Sequence, residues 1–217
     1  MRAMHRALQV VLLLLSLASG VTRAAVLFDN GSAMGFAGKC HSNVPSCSSD
    51  GWVVYDDFLL SQNSTVTGFA YNIYWADAAS DANYVSTNWS IWLSEPRFNY
   101  ASGPAHKGTA NGTLTAGAAG STLVTVVGLD ISLAPGTYWL GLQENVNAAD
   151  VISSYAFTSP GFGKLAQQSD NSGRFFQPAV PESAFSILGA NGVPEPATLA
   201  LLGLGLAGLA ATRRRKQ

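Results

Sequence analysis

Cysteine, histidine and basic side chains are all scarce in this chain, and each shortage excludes something. Between Val26 and Val193 there are five lysines or arginines (Lys39, Arg97, Lys107, Lys164 and Arg174) against twelve Asp or Glu residues, so this span is near −7 although the whole chain carries only −1. The positive charge sits at the two ends. A span with so few cations lacks the clustered basic side chains that phosphate binding needs, which excludes nucleic acid as a partner. His41 and His106 are the histidines beyond the first 25 residues. Both fall in predicted loops, and neither has a Ser or Cys nucleophile in a recognisable context. A Gly-x-Ser-x-Gly elbow, a His-Glu-x-x-His helix and a phosphate-binding glycine loop are all missing. The expectation is a protein that is not an enzyme and needs no cofactor.

The two cysteines, Cys40 and Cys47, have six residues between them. A site built on Cys40, His41 and Cys47 would lack a second ligand pair at zinc-like spacing. In an exported chain the reading is a local disulfide between Cys40 and Cys47, which restricts the unfolded chain. Helical periodicity is also lacking between residues 26 and 192. What is there instead is alternation. Phe69, Tyr71, Ile73 and Trp75 alternate with Ala70, Asn72 and Tyr74; Trp89, Ile91 and Leu93 with Ser90, Trp92 and Ser94; Leu129, Ile131 and Leu133 with Asp130 and Ser132. A period of two puts one set on a buried sheet face and the other toward solvent. Trp52–Leu60, 151–157 and 184–188 are further strands, rich in aromatic and β-branched residues. Turn-formers separate them: Asn63-Ser64, 76–83, Ser102-Gly103-Pro104, Asn111-Gly112, Pro135-Gly136 and Ser159-Pro160-Gly161. In Thr137-Tyr138-Trp139-Leu140-Gly141-Leu142 both faces are apolar, so this strand belongs in the middle of a sheet. With Leu129–Leu133 and the Pro135-Gly136 turn it makes a strand–turn–strand unit. The predicted fold is all-β, an antiparallel sandwich over residues 26–192.

Candidate polar sites are few. Asp56 and Asp57 are adjacent in a predicted strand, so they are expected to point to opposite faces and not to share a ligand. Glu95 and Asp130 are the remaining candidate carboxylate pair for glycoside chemistry. Asp77, Asp81 and Asn83 cluster in one loop and supply the oxygen ligands calcium takes, but without the EF-hand glycine and terminal glutamate, so a polar turn is the alternative. Trp52, Trp75, Trp89, Trp92 and Trp139 fall on strands. An outward-facing Trp92 would offer sugars a flat platform; two buried faces would remove it.

The ends differ from this middle. Arg2 and Arg6 precede an apolar run, Val10–Leu17, followed by small residues at Ala18, Gly20, Ala24 and Ala25. This is the layout of a secretory signal peptide over residues 1–25, with cleavage after Gly20 or after Ala24. It implies the Sec translocon and signal peptidase as partners. At the other end, Pro194-Glu195-Pro196 cannot continue a strand or a helix interior. From Ala197 to Ala211, through Leu201, Leu202, Leu204, Leu206 and Leu209, only Thr198 is polar. As a helix this run is about 22 Å long at 1.5 Å per residue, short against a hydrocarbon core of about 30 Å. It spans with bilayer thinning or snorkelling of Arg213. Arg213, Arg214, Arg215 and Lys216 then hold the C-terminus on the cytoplasmic side.

Signal, polar middle, Pro-Glu-Pro, short apolar helix and basic cluster in that order closely resemble a PEP-CTERM protein. Val193-Pro194-Glu195-Pro196-Ala197-Thr198 matches the tripeptide and helix start, and Arg213–Lys216 the basic end, so residues 193–217 form the sorting tail. The resemblance implies recognition by an exosortase, a membrane-embedded cysteine protease that cuts near Pro194–Pro196, after transient anchoring in the inner membrane. It implies a destination at the cell surface or in the extracellular matrix, and an association with exopolysaccharide and biofilm. An uncut tail would leave a permanently anchored surface protein. The middle also resembles a recurrent type of bacterial exported passenger, through Asp57-Phe58-Leu59-Leu60, Val66-Thr67-Gly68-Phe69, Trp89-Ser90-Ile91-Trp92-Leu93, Leu133–Leu140 and Ala184-Phe185-Ser186-Ile187. That resemblance implies a jelly-roll-like sandwich and no specific activity.

Overall fold

Alternating side chains build two antiparallel sheets that close on one another. The computed structural model describes residues 24–40, 42–43, 51–76, 80–147, 153–158, 163, 165–170, 174–176 and 182–191. The eight-stranded sheet contains β1 (Ala25–Asp29), β2 (Gly35–Cys40), β4 (Ser64–Trp75), β7 (Gly112–Ala116), β8 (Thr122–Leu133), β10 (Ser153–Thr158), β13 (Glu182–Ser183) and β14 (Phe185–Asn191). The six-stranded sheet contains β3 (Trp52–Leu60), β5 (Tyr84–Trp92), β6 (His106–Ala110), β9 (Gly136–Val146), β11 (Gln167–Asp170) and β12 (Phe175–Phe176). In the first, β7, β8, β4, β14 and β1 lie side by side, and β10 takes over the edge of β4 where β14 ends. In the second the order is β12-β11-β3-β9-β5-β6. Between β3 and β4, β4 and β5, β6 and β7, and β8 and β9 the chain crosses from one sheet to the other.

The core lies between the sheets. Val66, Phe69, Tyr71, Ile73, Val124, Val126, Phe185 and Ile187 from the larger sheet pack on Phe58, Leu60, Ile91, Leu140 and Leu142 from the smaller. Each such apolar side chain contributes about 1.5–3 kcal/mol on burial. Phe28 of β1 lies 5.6 Å from Phe185 and 6.2 Å from Phe58, so its ring bridges the two layers.

Two irregularities decide which side chains reach this core. The alternation in β4 that ends on Ile73 would, carried back from Phe69, bury Thr67. A register shift at Val66/Gly68, present against both β8 and β14, instead turns Val66 inward. The matching irregularity in β8 contains Gly128 at φ +87°, a backbone conformation that suits glycine. It lets Val124 and Val126 as well as Ile131 and Leu133 face the core, while Leu129 is left half-buried.

The predicted central strand is β9, which pairs with β3 on one side and β5 on the other. The strand–turn–strand unit is not a hairpin. β8 and β9 belong to different sheets, and the Pro135-Gly136 turn carries the chain over the rim of the sandwich. One turn of helix, α1 (Pro96–Asn99), leads into a 3-10 turn, Tyr100–Ser102. Among the described residues no helix is long and apolar enough to cross a membrane. The signal run up to Arg23, the tail from Val193 and the Ser159-Pro160-Gly161 turn lie outside the described residues.

Candidate functional site

The outer face of the six-stranded sheet carries a groove of about 690 Å³. Its position follows from register. Trp89 and Ile91 of β5 face the core, so Ser86, Asn88, Ser90 and Trp92 face outward. Cross-strand neighbours of these residues are Trp139, Gly141, Gln143 and Asn145 on β9 and Lys107 and Thr109 on β6. Val53 and Tyr55 of β3 complete the surface. One end of the groove is aromatic and the other is amide-rich.

The aromatic end is roofed by the chain that leaves β5. Pro96 starts α1, where its missing N–H costs nothing, and Gly103 at φ +72° ends the following 3-10 turn. Ala105 N–H then donates to the Ile91 carbonyl at 2.8 Å and returns the chain to the sheet as β6. This excursion lays Tyr100 on Trp92, with ring centroids 5.6 Å apart and an angle of 23°. Tyr55 meets the same indole edge-on at 6.0 Å. Trp92 does face away from Trp89 and Ile91, but it is 4% exposed and Trp139 is 3% exposed. The open platform expected of an outward Trp92 is therefore absent, because Tyr100 covers it. Tyr100, half-buried, is the ring that borders the opening. Glu95 Oε1 accepts a 2.6 Å hydrogen bond from Gln167 Nε2, which ties the start of this excursion to β11.

At the amide end, Asn88 Nδ2 donates to Gln143 Oε1 (3.3 Å) and Asn145 Oδ1 (2.9 Å), while Asn145 Nδ2 donates to Asn88 Oδ1 (2.9 Å) and Ser86 Oγ (2.8 Å). Thr109 Oγ1 donates to Asn88 Oδ1 at 2.7 Å. Gly141 lies between the two ends. A Cβ there would come within 2.5 Å of Ser90 Oγ and 2.6 Å of the Tyr55 ring, so only glycine lets these two side chains close over the strand. Lys107 supplies the charge among the described lining residues, which include no carboxylate. Burial, with the neighbouring Tyr100, pushes the Tyr55 phenol well above its ordinary range. Tyr100 is raised as well, by burial and then by the Asp170 charge.

The other sequence candidates fall elsewhere. Asp56 and Asp57 were expected to be kept apart by strand alternation, yet their carboxylate oxygens and that of Glu182 all lie within 4.8 Å of one another. The pairing explains this. β11 accompanies β3 only as far as Tyr55, so beyond it no described strand pairs with that edge of β3, and the two carboxylates meet there. Asp56 Oδ1 accepts the Asp57 N–H at 2.9 Å, which places that carboxylate at the edge. Glu95 precedes α1 and is bonded to Gln167 of β11, outside the groove lining, and Asp130 is exposed on β8 of the opposite sheet, so no pair forms. Asp81 is committed to other contacts: its Oδ1 accepts from Trp75 Nε1 (2.8 Å) and Thr122 Oγ1 (2.7 Å). Asn83 closes a capping box with Ser80, so these two form a polar turn, and Asp77 lies outside the described residues. Cys40 is disulfide-bonded, which removes its sulfur from metal binding; His41 and Cys47 lie outside the described residues. His106 is exposed on β6.

The tail candidates, from Pro194 to Lys216, also lie outside the described residues, and sequence comparison speaks to the segment as a whole. Residues 192–216 match the PEP-CTERM protein-sorting motif. The PEP-CTERM match covers the segment that the Pro-Glu-Pro triplet and basic cluster had marked. It indicates exosortase-dependent sorting of an exported protein, with the exosortase as processing partner and a surface or extracellular destination. A comparison with curated proteins gives no match for the chain. The PEP-CTERM motif thus speaks for delivery, and the groove is the described feature that speaks for what is delivered. Sequence reasoning missed Tyr55, Tyr100, Asn88 and Gln143. A paired-strand register would have exposed the Asn88–Gln143 pair; nothing local marks Tyr100.

Proposed function

We propose that this chain is a non-enzymatic cell-surface or matrix protein that binds a neutral polysaccharide of its own host. The observation that carries the reading is the groove: aromatic rings at one end, and fixed amides and hydroxyls at the other. Sugars present apolar ring faces and a rim of hydroxyls, and amide side chains both donate to and accept from hydroxyls. Fixing the Asn88–Asn145–Gln143 ladder beforehand lowers the cost of ordering on binding. Glycoside hydrolysis requires two flanking carboxyl groups, and the described groove lining offers none, which favours retention of the glycan over cleavage. The strand order β1-β14-β4-β8 facing β3-β9-β5-β6 supports a jelly-roll reading of the sandwich.

In this reading the tail is a temporary tether. The apolar run from Ala197 to Ala211 holds the passenger at the inner membrane with Arg213–Lys216 cytoplasmic, and cutting near Pro194–Pro196 frees it. The test has two arms. Tryptophan fluorescence is followed while host exopolysaccharide fractions are added: a saturable change is expected, lost with Tyr100→Ala. No change across the neutral fractions, with matrix retention unaltered, would remove the binding reading. Mass spectrometry of the protein from its host should place the mature C-terminus near Pro194–Pro196, and a C-terminus at Gln217 would remove the tether.

A further inference from the structure

Three acids gather at the edge where the two sheets meet. Asp56 and Asp57 come from β3 of the smaller sheet, and Glu182 from β13 of the larger. They are 2%, 3% and 8% exposed, and one carboxylate oxygen from each lies within 4.8 Å of the others. Among the described residues this is the grouping of His, Cys, Asp and Glu with spacing suited to a metal ion. The cluster has some protein donors. Asp56 Oδ2 accepts from Ser183 N–H at 2.6 Å and from Asn30 Nδ2 at 3.3 Å, and the same Asn30 Nδ2 donates to the Ser183 carbonyl at 2.9 Å. Glu182 is different: its Oε2 is buried in the cluster and meets no hydrogen-bond donor.

A buried carboxylate oxygen without a donor is costly, and charges of one sign in one place add to that cost. Asn30 also reaches the Glu182 carboxylate, but no donor meets its buried Oε2. Either a proton or a cation must offset the remaining charge. Oxygen-only ligands from carboxylates suit a hard cation. Calcium takes oxygens at about 2.3–2.6 Å, so oxygens on opposite sides of one ion stand up to about 5 Å apart, a spacing that these three meet.

We propose that Asp56, Asp57 and Glu182 form a calcium site that clamps the two sheets together at this edge. The site is separate from the groove and does not depend on the glycan reading. It draws on residues 126 positions apart in the chain. Asp57 also stands opposite Trp139 in the β3–β9 pairing, so the clamp steadies the strand that carries Tyr55.

The test uses the full chain in a non-ionic detergent, stripped of metal with EDTA and desalted. Calorimetric titration with calcium chloride should give one site with a dissociation constant of about 0.1–1 mM, the range of extracellular modules, and weaker binding of magnesium. Calcium should raise the melting temperature by a few degrees, and EDTA should reverse the rise. Glu182→Gln should weaken binding by roughly tenfold or more, since ligand charge sets affinity, while Asp130→Asn, on an exposed β8 site, should leave it unchanged. The wild-type titration decides the question without any variant, should Glu182→Gln fail to fold. No calcium binding and no melting shift by the wild type would overturn the proposal, and so would a folded Glu182→Gln chain that binds calcium as tightly as the wild type.

Discussion

Trp92 is the floor of the groove and Tyr100 its rim, and the two residues separate stability from binding. Trp92 is stacked under Tyr100 and its Nε1 donates to Ser90 Oγ at 2.9 Å. Trp92→Ala removes a buried indole and should cost about 3–5 kcal/mol, read as a lower midpoint in urea denaturation with an unchanged slope. Tyr100→Ala removes a half-buried ring and should leave a folded chain with weak glycan binding. If Trp92→Ala left the midpoint in place, the packing described for this face would be wrong. Alternation identified Trp92 as outward, which is correct. It could not show that a loop eight residues further along the chain returns to cover it, because that contact is made by tertiary folding and leaves no period in the sequence.

At the scale of elements, the strands were legible where apolar residues alternate and obscure where they do not. β3 coincides with the predicted Trp52–Leu60 strand, and β9 was recognised as central because both of its faces are apolar. β6 and β7, HKGTA and GTLTA, are mostly exposed edge segments with little apolar content, so no pattern announces them. The bulges were equally hidden. Gly189 sits at the register shift between β14 and β4, and an added Cβ would overlap the Thr65 carbonyl oxygen. Backbone cannot move aside there without breaking the ladder. Gly189→Ala should therefore destabilise by about 1–3 kcal/mol, measured from the chemical denaturation midpoint. A neutral outcome would mean that the two strands separate more readily than their pairing implies.

For the whole molecule, the buried tyrosines set an alkaline limit. Tyr71 is fully buried, its hydroxyl 2.7 Å from Thr87 Oγ1, and burial with the Glu144 and Tyr84 charges raises its phenol well above the ordinary range. Tyr55 is raised by burial and Tyr100. A phenol whose folded pKa is raised contributes stability that is fully present below the unfolded value, about pH 10, and lost as pH rises toward the folded value. The chain should thus lose stability from about pH 10 upward, with part of the tyrosinate absorbance appearing only as the far-ultraviolet β signal is lost. Complete ionisation near the ordinary value with the fold intact would contradict this burial.

The sequence by itself determined the class of the fold and the sorting motif, because period, composition and a contiguous motif are local properties of a chain. The tertiary structure alone decided the site chemistry. Tyr55 meets Tyr100 over Trp92, and Asp56 meets Glu182, only because the sheets close and β11 stops short of the end of β3. Such juxtapositions depend on register and on where strand pairing stops, and neither is written in any single stretch of residues.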